Sequence, residues 1–176
     1  EKVARALSAA AASAMPLSEE GARALLGACC ALLGSAPAVR DRESREHVLK
    51  AVARMFARNE LGHTLESSAD RLLELLPLGD HVPAALAELC EVAAHAGDIQ
   101  DTRLATALIL AVAGEDLAEY ERQAQQDSAA LRHTAVFIEE LAARLPEIVG
   151  KNFALLESLL AAQKATRLRC AVVTAL

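Results

Sequence analysis

Tryptophan is absent from this sequence, which holds one tyrosine and three phenylalanines, so aromatics make up 2% of its residues. Apolar residues of all kinds nevertheless make up 53% of the 176 positions. A core short of rings has to be built from Ala, Leu and Val. That is the material of close-packed helices, and the scarcity of alternating β-branched and aromatic residues excludes a sheet protein. Ala, Leu, Glu and Arg dominate, and all four favour helix. No apolar run reaches the roughly 18 residues that a bilayer-spanning helix needs. No charged-then-apolar signal pattern opens the sequence. The four cysteines, Cys29, Cys30, Cys90 and Cys170, form no C-x-x-C pair and no framework of spaced half-cystines. Buried free thiols in a reducing compartment, cytosol or nucleus, are the expectation.

Catalytic signatures are missing too. There is no H-E-x-x-H, no G-x-S-x-G and no phosphate-binding glycine loop. Apart from Gly21 and Gly27, the glycines fall where helices should end. His47, His63, His81, His95 and His133 are scattered one to a segment, as surface or internally bonded imidazoles rather than metal ligands. The carboxylate pairs Glu19/Glu20, Glu115/Asp116 and Glu139/Glu140 are sequence neighbours, and helical geometry points neighbours in different directions. The expectation is a non-catalytic protein with no cofactor, no metal and no small-molecule substrate. A net charge of −6 argues against a general nucleic-acid clamp, although a local basic patch is compatible with it.

What the sequence does contain is helix after helix, separated by Gly and Pro. Residues 2–15 are Ala-rich and broken by Pro16. Ser18 is placed to cap a helix carrying Leu25, Leu26, Cys29, Leu32 and Leu33, stopped by Gly34. A loop with Pro37 leads to a helix over about 43–59, with Val48, Leu49, Val52, Met55 and Phe56 on one face and Gly62 at its end. Thr64 caps a helix with Leu65, Ala69, Leu72, Leu73 and Leu76 inward, ended by Pro77 to Gly79. Pro83 sits in the first turn of the next, which buries Leu86, Leu89, Cys90 and Ala93 and stops at Gly97. Asp98 or Asp101 caps a helix with Leu104, Leu108, Ile109 and Val112 on its stripe and Gly114 as its stop. A short charged helix near 115–122 follows, with Arg122 to Ser128 read as a connection or a continuation. From Ala129 a helix places Leu131, Ile138, Leu141 and Leu145 together. Pro146 starts one helix carrying Val149, Phe153, Leu156 and Leu160, and Thr166 caps the last.

This reading gives an all-α chain: antiparallel helix pairs joined by short turns, stacked as a HEAT-like or armadillo-like α-solenoid. A compact bundle is the alternative. Residues 1–176 are read as one helical-repeat domain. Glu1 stands where a Met would open a complete chain, and Leu176 falls inside an apolar pattern, so a fragment of a longer subunit is expected.

One charge pattern rises above background. His47, Lys50, Arg54 and Arg58 recur at steps of three and four, opposite Val48, Val52 and Phe56, with Arg40, Arg42 and Arg45 just upstream. Such a stripe can meet DNA phosphates or an acidic partner, or be a solvated helix face that Asp41, Glu43 and Glu46 help to balance. A second group, Lys164, Arg167 and Arg169, brackets the last helix, where Arg169 is placed to pair with an acid or cap carbonyls of the preceding repeat.

Five segments together resemble a known family. Phe137 to Pro146 reads FIEELAARLP, Asn152 to Leu156 reads NFALL, and Arg169 to Val173 reads RCAVV. These resemble the F-L-x-E-L-A-E-x-x-P, N-x-x-x-L and R-N-A-V-V segments in the N-terminal region of condensin complex subunit 1. His63-Thr64-Leu65 is similar to that family's N-H-T-L. His81-Val82-Pro83 with Ala87-Glu88-Leu89 is similar to its H-L-P and A-E-L. The resemblance spans residues 44–176, while 1–43 match only as generic helix. Cys170 replaces the family's Asn, and Ala161 to Ala165 replaces an acidic, Tyr-containing linker. The resemblance implies a HEAT-repeat, non-catalytic subunit that associates with kleisin and SMC subunits and contributes to mitotic chromosome condensation in dividing cells. It also implies residence in the nucleus and on chromosomes, with cytoplasm outside mitosis. The alternatives are a generic HEAT or armadillo adaptor in transport or trafficking, and a helical-bundle hydrolase or metal oxidase. The last would need Glu-x-x-His spacing on two facing helices, which Glu43, Glu46 and His47 do not supply.

Overall fold

Four short polar side chains set where helices begin. In the computed structural model, which describes residues 2–12, 17–33, 41–57, 69–70, 72–95 and 102–175, Ser18 Oγ accepts from the Gly21 amide at 3.1 Å. Asp41 Oδ1 accepts from Glu43 N at 3.3 Å, Asp116 Oδ1 from Ala118 N at 2.9 Å, and Ser128 Oγ from Ala130 N at 3.2 Å. Each bond satisfies an amide that the first helical turn leaves without a carbonyl. Asp41 also accepts from the Ser44 hydroxyl, and that bond, more than any other influence, holds its carboxyl below its ordinary pKa.

The helices are α1 (Lys2–Ala11), α2 (Glu19–Leu33), α3 (Arg42–Ala57), α4 (Val82–Ala94), α5 (Arg103–Gly114), α6 (Leu117–Gln125), α7 (Ala129–Arg144), α8 (Pro146–Lys151), α9 (Phe153–Glu157) and α10 (Thr166–Thr174). Residues 69–70 and 72–73 are also helical, leading into a 3-10 turn at Leu76–Leu78, and a second 3-10 turn covers Ser158–Ala161. Among the described residues there is no strand. None of the described helices is long and apolar enough to cross a membrane.

Apolar periodicity becomes packing directly. On α3, Val48, Ala51, Val52 and Met55 are buried, a stripe at steps of three and four. The equivalent stripes are Leu104, Leu108, Ile109 and Val112 on α5, and Leu131, Phe137, Ile138 and Leu141 on α7. α4 is buried on most of its circumference, from Val82 to Ala94, because α2, α3, α5 and α7 all pack against it. Its Pro83 occupies the first turn, where an absent N–H leaves no bond unmade. A row of packings runs from α1 on α3 through α3 on α4 and α4 on α7 to α7 on α10, with α2 on α3 as extensive as α3 on α4. Small residues such as Ala11, Ala51, Ala87, Ala93 and Ala135, all fully buried, let helix axes approach closely. Beside the row, α2 rests on α1, α3 and α4, α5 on α4, α8 and α9, and α6 on α7.

Several details differ from the sequence reading. The single helix expected after Pro146 is three pieces, α8, α9 and the 3-10 turn. The break is at Asn152, whose φ/ψ of −103°/10° leaves the helical region and whose side-chain amide donates to Ile148 O at 2.9 Å. A short amide that bonds its own preceding turn competes with the helical ladder. Thr166 is the first residue of α10 rather than its cap, and Ala165 precedes it without a side-chain bond. The polar run after Arg122 continues α6 as far as Gln125. Asp127 then reverses the chain at φ 47°, the left-handed region that Asp tolerates better than most residues. At Gly79, a Cβ would meet the His81 ring at 2.7 Å, so that turn depends on close approach. Pro16, Gly34, Pro37, Gly62, Thr64, Leu65, Gly97, Asp98 and Asp101 lie outside the described residues, as does the side chain of Phe56.

Candidate functional site

The basic stripe of α3 is largely engaged within the chain. Arg42 pairs with Glu46 one turn on, at 3.1 Å. Arg45 reaches across to Glu88 of α4, and His47 Nε2 stands 3.8 Å from Glu43, which also receives Arg5 of α1. Arg54 donates to the Ser8 carbonyl at 3.1 Å and lies 3.5 Å from its hydroxyl, tying α3 to α1. Lys50 is exposed and unpaired among the described residues. Arg40 and Arg58 lie outside them. Among the described residues the stripe is therefore not a free cationic face: Arg45 meets an acid of α4 and Arg54 a carbonyl of α1, while Arg42 and His47 face acids of α3 itself.

The histidines divide in the same manner. His133 is 6% exposed, with Nδ1 2.5 Å from Leu76 O and Nε2 2.9 Å from Asp80 Oδ1. It braces α7 against the turn that leads into α4. His95 Nδ1 stands 2.8 Å from Glu91 O at the end of α4. His63 lies outside the described residues. No group of three or more His, Cys, Asp or Glu among the described residues is arranged to hold a metal ion. Burial pushes the Cys29 thiol up to about 12 and the Cys90 thiol higher still, whereas Cys170 is exposed on α10.

Other polar groups act as braces between helices. Arg144 at the end of α7 donates to Glu91 of α4 at 2.7 Å, with Glu140 3.6 Å from its Nε. Tyr120 of α6 is 4% exposed, and its hydroxyl donates to Val112 O at 2.8 Å, one of the carbonyls that the end of α5 cannot bond itself. Arg169 donates to the Gln163 carbonyl at 3.4 Å, in the linker ahead of α10, so it caps a carbonyl rather than pairing with an acid. Glu115 and Asp116 do diverge: Asp116 caps α6, while Glu115 faces a groove between α5, α6 and α7. Sequence reading missed that groove and the Tyr120 bond. The sole tyrosine of the chain was the available signal for the bond; the groove's walls come from segments far apart in sequence.

The apolar residues that carry the family resemblance fall largely inside the packing. Ala87 and Leu89 of α4, and Phe137, Ile138 and Leu141 of α7, are all buried, and these two helices pack extensively on each other. Ala171 and Val172 of α10 are also buried, while Val173 is 56% exposed. His63 to Leu65 lies outside the described residues. Comparison of the chain with family models, with curated proteins and with solved structures yields no match.

Proposed function

We propose that this chain is a non-catalytic scaffold segment of the condensin complex, a HEAT-like α-solenoid piece that binds kleisin and SMC subunits and contributes to mitotic chromosome condensation. The observation that carries the reading is the coherence of the resembling residues. Those of α4 and α7 lie on two helices that pack extensively on each other, which the Arg144–Glu91 bond at 2.7 Å also joins. A likeness confined to exposed positions would say little about architecture; one that includes buried residues of two packed helices bears on how helix pairs stack. The row from α1 through α3, α4 and α7 to α10 also suits repeated helix pairs, in which each unit contacts chiefly its neighbours. Polar side chains that brace helices, rather than converge on a reacting atom, fit a scaffold. DNA contact, if the segment makes any, falls to Lys50 and Arg42 on the exposed face of α3, and nuclear and chromosomal residence follows from the same reading.

Affinity capture from a mitotic extract with the tagged chain, read by mass spectrometry, is expected to recover SMC and kleisin subunits. Recovery of transport or vesicle-coat proteins instead assigns a trafficking adaptor. Absence of both SMC and kleisin subunits from the captured set rejects the condensin reading.

A further inference from the structure

Between the segment that holds Asp70, Leu73, Glu74, Leu76 and Pro77 and helices α5, α6 and α7 lies a groove of about 330 Å³. Its floor is apolar: Leu76 is 2% and Val112 1% exposed, with Leu73 and Ala111 alongside. Its rim carries Asp70, Glu74 and Glu115, all exposed. No Lys or Arg is among its described lining residues. Elsewhere several carboxylates meet a cation, as Glu46 meets Arg42, Glu88 meets Arg45, Glu91 meets Arg144 and Glu119 meets Arg122, while Glu139, Glu147 and Glu157 stand without one among the described residues but apart from one another on α7, α8 and α9. The three rim acids have no such partner among the described residues. The Tyr120 phenol in the groove wall is pushed above its ordinary range by burial first and then by the Glu115 charge.

We propose that this groove docks a short basic and apolar peptide segment of a partner protein. An apolar side chain of that segment lies on Leu76 and Val112, and a Lys or Arg beside it meets Asp70, Glu74 and Glu115. Charge complementarity selects the occupant, because three carboxylates unpaired among the described residues, around an apolar floor, repel nucleic acid and acidic peptides and attract a cation flanked by hydrocarbon. Size selects its form. The volume lies at the low end of the range for ligand sites, about 300–1,000 Å³. It therefore suits one or two side chains of an extended strand, not the repeated anchors of a docked helix. The inference rests on the reading of the chain as a partner-binding scaffold but not on the identity of the complex, so capture without SMC or kleisin subunits leaves it standing.

The test uses the 176-residue chain and a fluorescein-labelled peptide alternating Leu and Arg, with Leu/Glu and Ser/Arg peptides as comparisons, read by anisotropy at moderate salt. The Leu/Arg peptide is expected to bind and the other two to bind far more weakly. The paired substitution Glu74→Gln and Glu115→Gln is expected to weaken it about tenfold, the equivalent of 1.4 kcal/mol. Glu147→Gln on α8, outside the groove, is expected to change it little. Ala111→Trp, which fills the groove without altering charge, is expected to abolish binding, with circular dichroism reporting that helicity is retained. Equal weakening by Glu147→Gln, equal binding of the Ser/Arg peptide, or displacement of the peptide by DNA would each overturn the proposal, since each makes the attraction diffuse or the occupant a nucleic acid.

Discussion

At the scale of single residues, the consequence of a change follows from what the side chain touches. Phe137 of α7 is 1% exposed, whereas Leu110 of α5 is 45% exposed. Phe137→Ala is expected to cost about 3–5 kcal/mol through lost burial and a residual cavity, and Leu110→Ala about 0.5 kcal/mol or less. Urea denaturation of the two variants checks both. The buried thiols make a pH prediction. Cys29 has its pKa raised from 9.0 to about 12 by desolvation, and Cys90 is raised in the same sense. In the unfolded chain both thiols ionise near their ordinary value, but in the folded chain they stay neutral. Their contribution is therefore fully present below about pH 9 and declines as pH rises toward the folded value, by at most about 1.4 kcal/mol per pH unit for each thiol. Denaturation at a series of alkaline pH values should show a steeper fall for the native sequence than for a Cys29→Ala, Cys90→Ala variant; parallel curves would contradict it. In a Cys30→Ser background, Cys170 should react with a thiol reagent at once, and Cys29 and Cys90 only on unfolding.

Helices and their connections respond to their caps and braces. Ser128→Ala removes the acceptor for Ala130 N and is expected to cost about 1 kcal/mol, with Ser128→Gly costing less. A double-mutant cycle on Arg144 and Glu91, an ion pair linking α7 to α4, should give a coupling of about 0.2–1 kcal/mol, since both partners are partly exposed. Much of this level was legible in advance. Ser18 announced α2, Pro83 opened α4, and the stripes of α3, α5 and α7 predicted which faces are buried, because apolar spacing is a local property. The break at Asn152 was not legible, since the residues around it keep helical spacing and the interruption comes from one side-chain amide folding back onto Ile148. Thr166 misled for a related reason: a capping residue type is only a cap when its hydroxyl finds the amide two or three residues on. The fate of the α3 cations was also hidden, because their acceptors, Ser8 and Glu88, lie dozens of positions away in sequence.

For the molecule as a whole, charge and packing act over longer range. With a net charge of −6, DNA is repelled in general, and α3 offers Lys50 as an exposed cation, unpaired among the described residues. Lys50→Glu is expected to reduce any DNA retention at low salt without loss of helicity. Arg54→Glu should also lower stability, because it gives up the bond to Ser8 that fastens α1. If retention is unchanged in both variants, the face is solvated and nothing more. Because α4 contacts α2, α3, α5 and α7, its amides are expected to exchange with solvent most slowly in a hydrogen-exchange experiment, and those of α1, at one end of the row, fastest among the longer helices. The groove beside α5 belongs to this scale too, assembled from four segments that no local pattern connects.

The phenol of Tyr120 also gives the protein a built-in optical probe. With no indole in the chain to mask it, ultraviolet emission comes chiefly from this one ring, held against the end of α5 and lining the acidic groove. Its intensity and lifetime should therefore register the α5–α6 junction opening, or a guest settling beside it, without any attached dye.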